Sequence, residues 1–237
     1  PEARVFGAVF TRVTKDHVDR HGTLAAYHAA KGRLAAAATG FLVHCAEDPV
    51  AAGYATPAGH RLRFALTEPA PDSVGLEDGF VSVRLGRAAA ERIVHRDALR
   101  LLGEFQVENV MAASAAARCV GAAGHAIGVA MAQAAPLPFR LQLVAVVNGV
   151  RVYDNGVSTE IESTRSALQA LAGESRGTRI HWIGGGKSKD GDYATVAAGI
   201  VPHVASAHLF GAAAVPLAAA IGSRCPTRVH DRIQAAL

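Results

Sequence analysis

Apolar residues at the start of the chain fall into a strand pattern and then a helical one. Val5, Phe6, Ala8, Val9 and Phe10 make an apolar run of strand length within Pro1–Phe10. A polar stretch, Thr14–His21, follows. From Thr23 to Ala38 the large apolar residues recur every three to four positions, so Leu24, Tyr27 and Leu34 share a helical face with Lys31. Thr23 is the expected N-cap and Gly40 the expected stop. Phe41–Cys45 has the length and apolarity of a buried strand. Short strands are predicted at His60–Leu66, Phe80–Leu85 and Glu91–His95, separated by Pro- and Gly-rich turns, and a long helix at about Val107–Val120.

Two prolines within Ala134–Pro138 mark a linker. Beyond it, Leu141–Val147 and Val150–Asp154 flank Asn148-Gly149, the strongest short hairpin signal. The pattern then alternates: helix Ser163–Leu171, strand Arg179–Ile183, helix Tyr193–Ile200, strand Val204–Phe210, helix Ala213–Ile221, strand Thr227–His230. Such alternation builds a parallel sheet with crossover helices. The predicted fold is α/β, in two units: residues 1–135 and residues 136–237.

Composition narrows the function. Half of the 237 residues are apolar and 19% are charged, an ordinary globular balance with enough apolar surface for a sizeable core. The net charge is +4 and the pI about 9.2, yet Lys and Arg are scattered and aromatics make up only 5%, which argues against nucleic-acid binding and suits a small anionic substrate. Cys45, Cys119 and Cys225 are far apart, so neither a disulfide framework nor a zinc knuckle is expected. No apolar run reaches the ~20 residues that span a bilayer, Ala126–Ala135 included, and no signal peptide is seen. A cytoplasmic protein without membrane attachment, and a monomer, is the expectation.

Four stretches carry chemistry. Asp16, His17, Asp19 and His21 follow the opening strand, where ligands bind in open α/β sheets; they suit either a cation site or a solvated turn. Lys31 shares a face with Leu24, Tyr27 and Leu34, which is odd for a cation on a side expected to be buried. Gly184-Gly185-Gly186-Lys187-Ser188-Lys189 follows a strand and ends like a phosphate-binding P-loop, but His181 stands where the first Gly belongs; an anion-facing turn is the other reading. In Tyr153–Glu160, Ser158 and Thr159 either cap the next helix or face a ligand.

Taken in order, these stretches resemble motifs of the Mur ligase family, and within it the members that add glutamate to a muramoyl-alanine precursor of peptidoglycan. Thr14–His21 with Tyr27 and Lys31, Leu102–Asn109 running into Ala112-Ala113, Leu137–Gln142, Asn148–Asp154 to Ser163-Thr164, and Gly185–Tyr193 carry the likeness over nearly the whole chain. The resemblance implies part of a central ATP-binding domain in 1–135 and part of a Rossmann-like, glutamate-binding domain in 136–237. It implies ATP and Mg²⁺ as cofactors, UDP-N-acetylmuramoyl-L-alanine and glutamate as substrates, and amide synthesis through an acyl phosphate. By similarity His17 ligates magnesium and Lys31 carries a metal-binding carbamate, the two residues central to catalysis. Asn109, Arg140 and Asn155 meet the nucleotide, and Thr159 and Lys189 hold the glutamate carboxylate. The family's phosphate-binding loop is expected before Pro1, so these residues alone are not expected to turn over.

The chain also departs from the family. Arg12 replaces Asn, Phe105-Gln106 replaces His-Asn, Phe139 replaces the linker His, and Asn155 and Val157 stand where many members have Asp and Lys. These departures keep two alternatives open: a catalytically degenerate nucleotide- or partner-binding module, and a ligase resembling folylpolyglutamate synthases.

Overall fold

The computed structural model describes residues 5–15, 18–174, 177, 179–187 and 191–236. The chain divides into two compact units, Pro1–Ala135 and Pro136–Leu237.

The first unit is built on a six-stranded sheet in sequence order. Strands β1 (Val5–Phe10), β2 (Ala38–Cys45), β3 (His60–Phe64) and β4 (Ser73–Glu77) run parallel; β5 (Phe80–Arg84) and β6 (Glu91–His95) turn back antiparallel. Helices α1 (Val18–His21) and α2 (Leu24–Ala37) lie between β1 and β2, α3 (Pro49–Ala52) follows β2, and α4 (Glu104–Cys119) and α5 (Gly124–Gln133) close the unit. Strand β2 shows why the sheet is two-sided. Phe41, Val43 and Cys45 join Phe64, Val81, Met111 and Val110 in one core, while Leu42 joins Phe10, Tyr27 and Ala35 in the other. A parallel strand covered on both faces is apolar throughout rather than alternating.

Several expectations change here. Thr23 does cap α2, its hydroxyl accepting from Ala26 N–H at 3.1 Å. Gly40 does not end the helix. The chain passes straight into β2, and a Cβ at Gly40 would come within 2.5 Å of the Phe6 ring. Of the face shared by Leu24, Tyr27, Lys31 and Leu34, only Tyr27 goes inside, together with Ala35: Leu24 and Leu34 are 40% and 43% exposed and Lys31 is exposed. Alanine supplies so much of α2 that three large residues make a misleading stripe; small residues are what allow the close packing. Strand β4 went unpredicted, although Asp78-Gly79 is a hairpin signal and both residues adopt positive φ, 49° and 78°.

The apolar stretch near Ala126 became α5, and none of the described helices is long and apolar enough to cross a membrane. Helix α5 lies hard against β6: a Cβ on buried Gly128 would sit 2.2 Å from the Ile93 carbonyl oxygen. Gly128→Ala is therefore expected to destabilise the protein by about 2 kcal/mol, overpacking outweighing the ~1 kcal/mol gain in helix propensity. Thermal melts followed by circular dichroism check this; a rise in melting temperature would contradict it.

In the second unit, β7 (Gln142–Val147) and β8 (Val150–Asp154) form the predicted hairpin, with Asn148 and Gly149 at φ 50° and 81°. This pair is a separate two-stranded sheet. Helix α6 (Ile161–Glu174) leads to β9 (His181–Gly185), α7 (Tyr193–Ile200), β10 (Ser206–Phe210), α8 (Ala214–Ile221) and β11 (Thr227–His230). The three strands are parallel in the order β11-β10-β9, as the alternation requires. Leu168, Ile200, Leu209, Leu217 and Ile221 fill the core between sheet and helices.

Candidate functional site

Strands β1, β2 and β3 end together, and the residues just beyond their C-terminal ends converge there. Asp48, buried, is the central fastener. One carboxylate oxygen accepts from Val13 N–H at 2.5 Å, joining the exit of β1 to that of β2; the other accepts from Val50 and Ala51 N–H at 2.9 and 3.1 Å, capping α3. Proline at the first turn of α3 has no N–H to lose, which suits that cap.

Beside it lies a charged cluster. Arg12 Nη2 donates to Glu108 Oε1 at 2.6 Å and to Glu47 Oε2 at 3.2 Å. Glu108 projects from the second turn of α4 and is buried, whereas Glu47 is exposed. Burial, the largest single influence, opposes the Arg12 charge, but Glu108 by hydrogen bond and charge, with Cys45 and Glu47, together hold the guanidinium pKa above its ordinary value. Cys45, fully buried, completes the group, and burial pushes its thiol pKa up.

His44 faces a cleft of about 400 Å³ that Arg63, Thr67, Glu68 and Ser73 also line. Burial lowers its pKa, with Arg61 and Arg63 adding to the effect, so the ring is neutral at physiological pH. Its Nδ1 lies 3.0 Å from the Cys45 carbonyl and its Nε2 accepts from Arg61 Nε at 3.4 Å, which assigns the proton to Nδ1. His44 and the Arg12 cluster were not singled out as a site from the sequence. Their members come from β2, β3, α4 and the loops that leave β1 and β2, and only the shared sheet edge unites them.

The sequence-derived candidates fall into three groups. His17 and Lys189 lie outside the described residues. In the first unit Lys31 stands exposed on α2 with its ammonium 5.4 Å from the Tyr27 ring centroid, and Asn109 is exposed on α4, donating to Gln106 Oε1 at 3.1 Å. Lys31 is thus a surface cation, not one forced into a buried face as its spacing predicts. In the second unit Asn155 Oδ1 accepts from Leu141 N–H at 3.1 Å, and Val157 N–H reaches the Phe139 carbonyl at 3.4 Å. These bonds pin the Leu137–Gln142 motif to the loop after β8 and bring exposed Arg140 and half-buried Asn155 to one end of the hairpin. Thr159 is exposed, and Ser158 Oγ lies 3.0 Å from Thr164 Oγ1.

The P-loop reading of the Gly-rich turn meets an obstacle. Gly186 N–H donates to the Phe210 carbonyl, so it is not available to a phosphate, and a Cβ on Gly185 would stand 2.0 Å from that same carbonyl oxygen. These glycines let β9 and β10 leave the sheet side by side.

Comparison with known proteins agrees with this architecture. The chain is 34% identical to the UDP-N-acetylmuramoylalanine–D-glutamate ligase of Acidobacterium capsulatum over 87% of this chain and 45% of the relative. It is 34% identical to the Cereibacter sphaeroides enzyme of the same name over 91% and 47%. The chain therefore spans about half the length of the curated relatives it matches. Among solved structures, Mycobacterium tuberculosis folylpolyglutamate synthase complexed with ADP superposes with a TM-score of 0.71 at 17% identity, over 97% of this chain and 54% of that one. MurF from Acinetobacter baumannii gives 0.69 at 17%, over 94% and 50%. At such identities the likeness speaks for the fold. Across both units the chain is similar to these two ligases, and residues 2–117, which hold β1 to β6 and nearly all of α4, match the Mur ligase middle domain.

Proposed function

We propose that the complete gene product is an ATP-dependent amide ligase that joins glutamate to UDP-N-acetylmuramoyl-L-alanine. The supporting observation is the 34% identity, across nearly all of this chain, to enzymes named for that product. ATP phosphorylates the free carboxylate of the acceptor, and the glutamate amine displaces phosphate from the acyl phosphate. Catalysis of this kind rests on positioning and on neutralising charge as the phosphoryl group moves.

In this reading residues 1–135 are part of the ATP-binding domain and 136–237 part of the glutamate-binding domain. Asn109 meets the adenine, Arg140 and Asn155 the nucleotide, and Thr159 and Lys189 the glutamate carboxylate, Lys189 as a point charge. The names of the relatives favour D-glutamate. The protein works as a monomer in the cytoplasm, with neither membrane nor nucleic acid involved.

Magnesium takes oxygen ligands and would neutralise phosphate charge. Among the described residues one cluster groups three ligand-type side chains, Cys45, Glu47 and Glu108, and Arg12 already binds two of them. The magnesium ligands proposed are therefore His17 and a carbamate on Lys31. The test is phosphate release from ATP by the complete gene product with magnesium, UDP-N-acetylmuramoyl-L-alanine and each glutamate enantiomer, with a folate acceptor as comparison. Release that requires the muramoyl acceptor and D-glutamate is expected. No release with any acceptor would sink the proposal, and release with folate alone would move it to the folylpolyglutamate synthases.

A further inference from the structure

We propose that Arg12 is the resident cation of the Cys45–Glu47–Glu108 cluster, a positioning residue that holds the place of a divalent ion and keeps the cluster closed to metal. The three ligand-type atoms, Cys45 Sγ and one oxygen from each glutamate, lie within 4.8 Å of one another. Around a zinc-like ion with bonds of ~2.0–2.3 Å they would stand roughly 3.3–3.8 Å apart, a modest side-chain adjustment away. Two carboxylates this close do not both stay charged without a counter-charge. Arg12 Nη2 supplies it, at 2.6 Å from Glu108 and 3.2 Å from Glu47.

Guanidinium suits the role because it is permanently charged and weakly hydrated, and so loses little on entering a half-buried site. A metal entering the same space would have to break both ion pairs. It would also have to deprotonate Cys45, whose buried thiol favours its neutral form. The same contact ties the exit of β1 to α4 across 96 residues of sequence. It thereby fixes the turn of α4 that carries Asn109, a consequence that rests on the proposed function; the occupancy by Arg12 does not.

The experiment titrates the complete gene product with Cd²⁺ and follows the ultraviolet thiolate-to-cadmium absorption. The wild type is expected to show no band that depends on Cys45. Arg12→Asn is expected to bind one Cd²⁺ at least a hundredfold more tightly, and Arg12→Asn/Cys45→Ser to lose that band. If Arg12→Asn does not fold by itself, folding restored by Cd²⁺ but not by Mg²⁺ is the supporting result. A wild type that captures Cd²⁺ at Cys45 as tightly as the variant overturns the proposal. So does a folded variant with no Cys45-dependent band, or an unfolded one that Cd²⁺ does not restore. None of these readings needs ligase activity, so the proposed function and this inference fail separately.

Discussion

Lys31→Ala in the complete gene product is expected to lower ATP-dependent phosphate release by on the order of a hundredfold or more, the scale set by losing one fixed electrostatic group at a reacting centre. Folding cannot account for such a loss. Lys31 is exposed, alanine is the better helix former, and among the described residues the contact given up is the 5.4 Å approach to the Tyr27 ring, worth about 0.5 kcal/mol at an exposed position. The proposed chemistry is addition of the neutral amine to CO₂, forming an N–C bond and releasing a proton, so that an anionic oxygen pair stands where an ammonium stood. A small carboxylate such as acetate should then partly restore turnover to the alanine variant while leaving the wild type unaffected. Stripping CO₂ from the buffer should slow the wild type alone. Alanine turnover within threefold of wild type would remove Lys31 from the mechanism.

Phe64→Ala is the substitution expected to cost most in stability. Phe64 ends β3 with no exposed surface, in the core that β2, β4 and β5 share with α4. Truncating a buried Phe typically costs about 3–5 kcal/mol through lost transfer energy and the cavity left behind. Against a total of roughly 5–15 kcal/mol that is a large fraction. For a unit of this size the melting temperature should fall by roughly 10–20 °C. Val120→Ala, at a residue 63% exposed just past α4, is the control and should stay within about 0.5 kcal/mol of the wild type. Calorimetry separates the two; a Phe64→Ala protein that melts with the wild type would mean the core can close over the gap.

Much of the local structure was legible in the chain because its signals are short-range. The Asn148-Gly149 hairpin, the Thr23 cap and the strand–helix alternation after Ile161 depend on residues a few positions apart. The same local logic failed elsewhere. An alanine-rich helix gives almost no amphipathic signal, so the buried side of α2 was misjudged, and its end was assigned to Gly40, a residue that β2 needs for contact with Phe6. The glycines at 184–186 looked like a phosphate cradle, yet the freedom of Gly185 and Gly186 serves the approach of the Phe210 carbonyl, a partner about 25 residues away that no local pattern reveals.

By itself, then, the sequence determined most of the elements, the α/β class and a motif order resembling that of the Mur ligases, since hydrophobic period and turn chemistry act between near neighbours. Only the tertiary structure decided that Arg12, Glu47 and Glu108 meet, that Asp48 fastens two strand exits, and that Asn155 holds Leu141. The sheet brings strand ends and α4 together from segments 35 to 96 residues apart, and whether a charge there stands alone or is neutralised depends on which segments become neighbours.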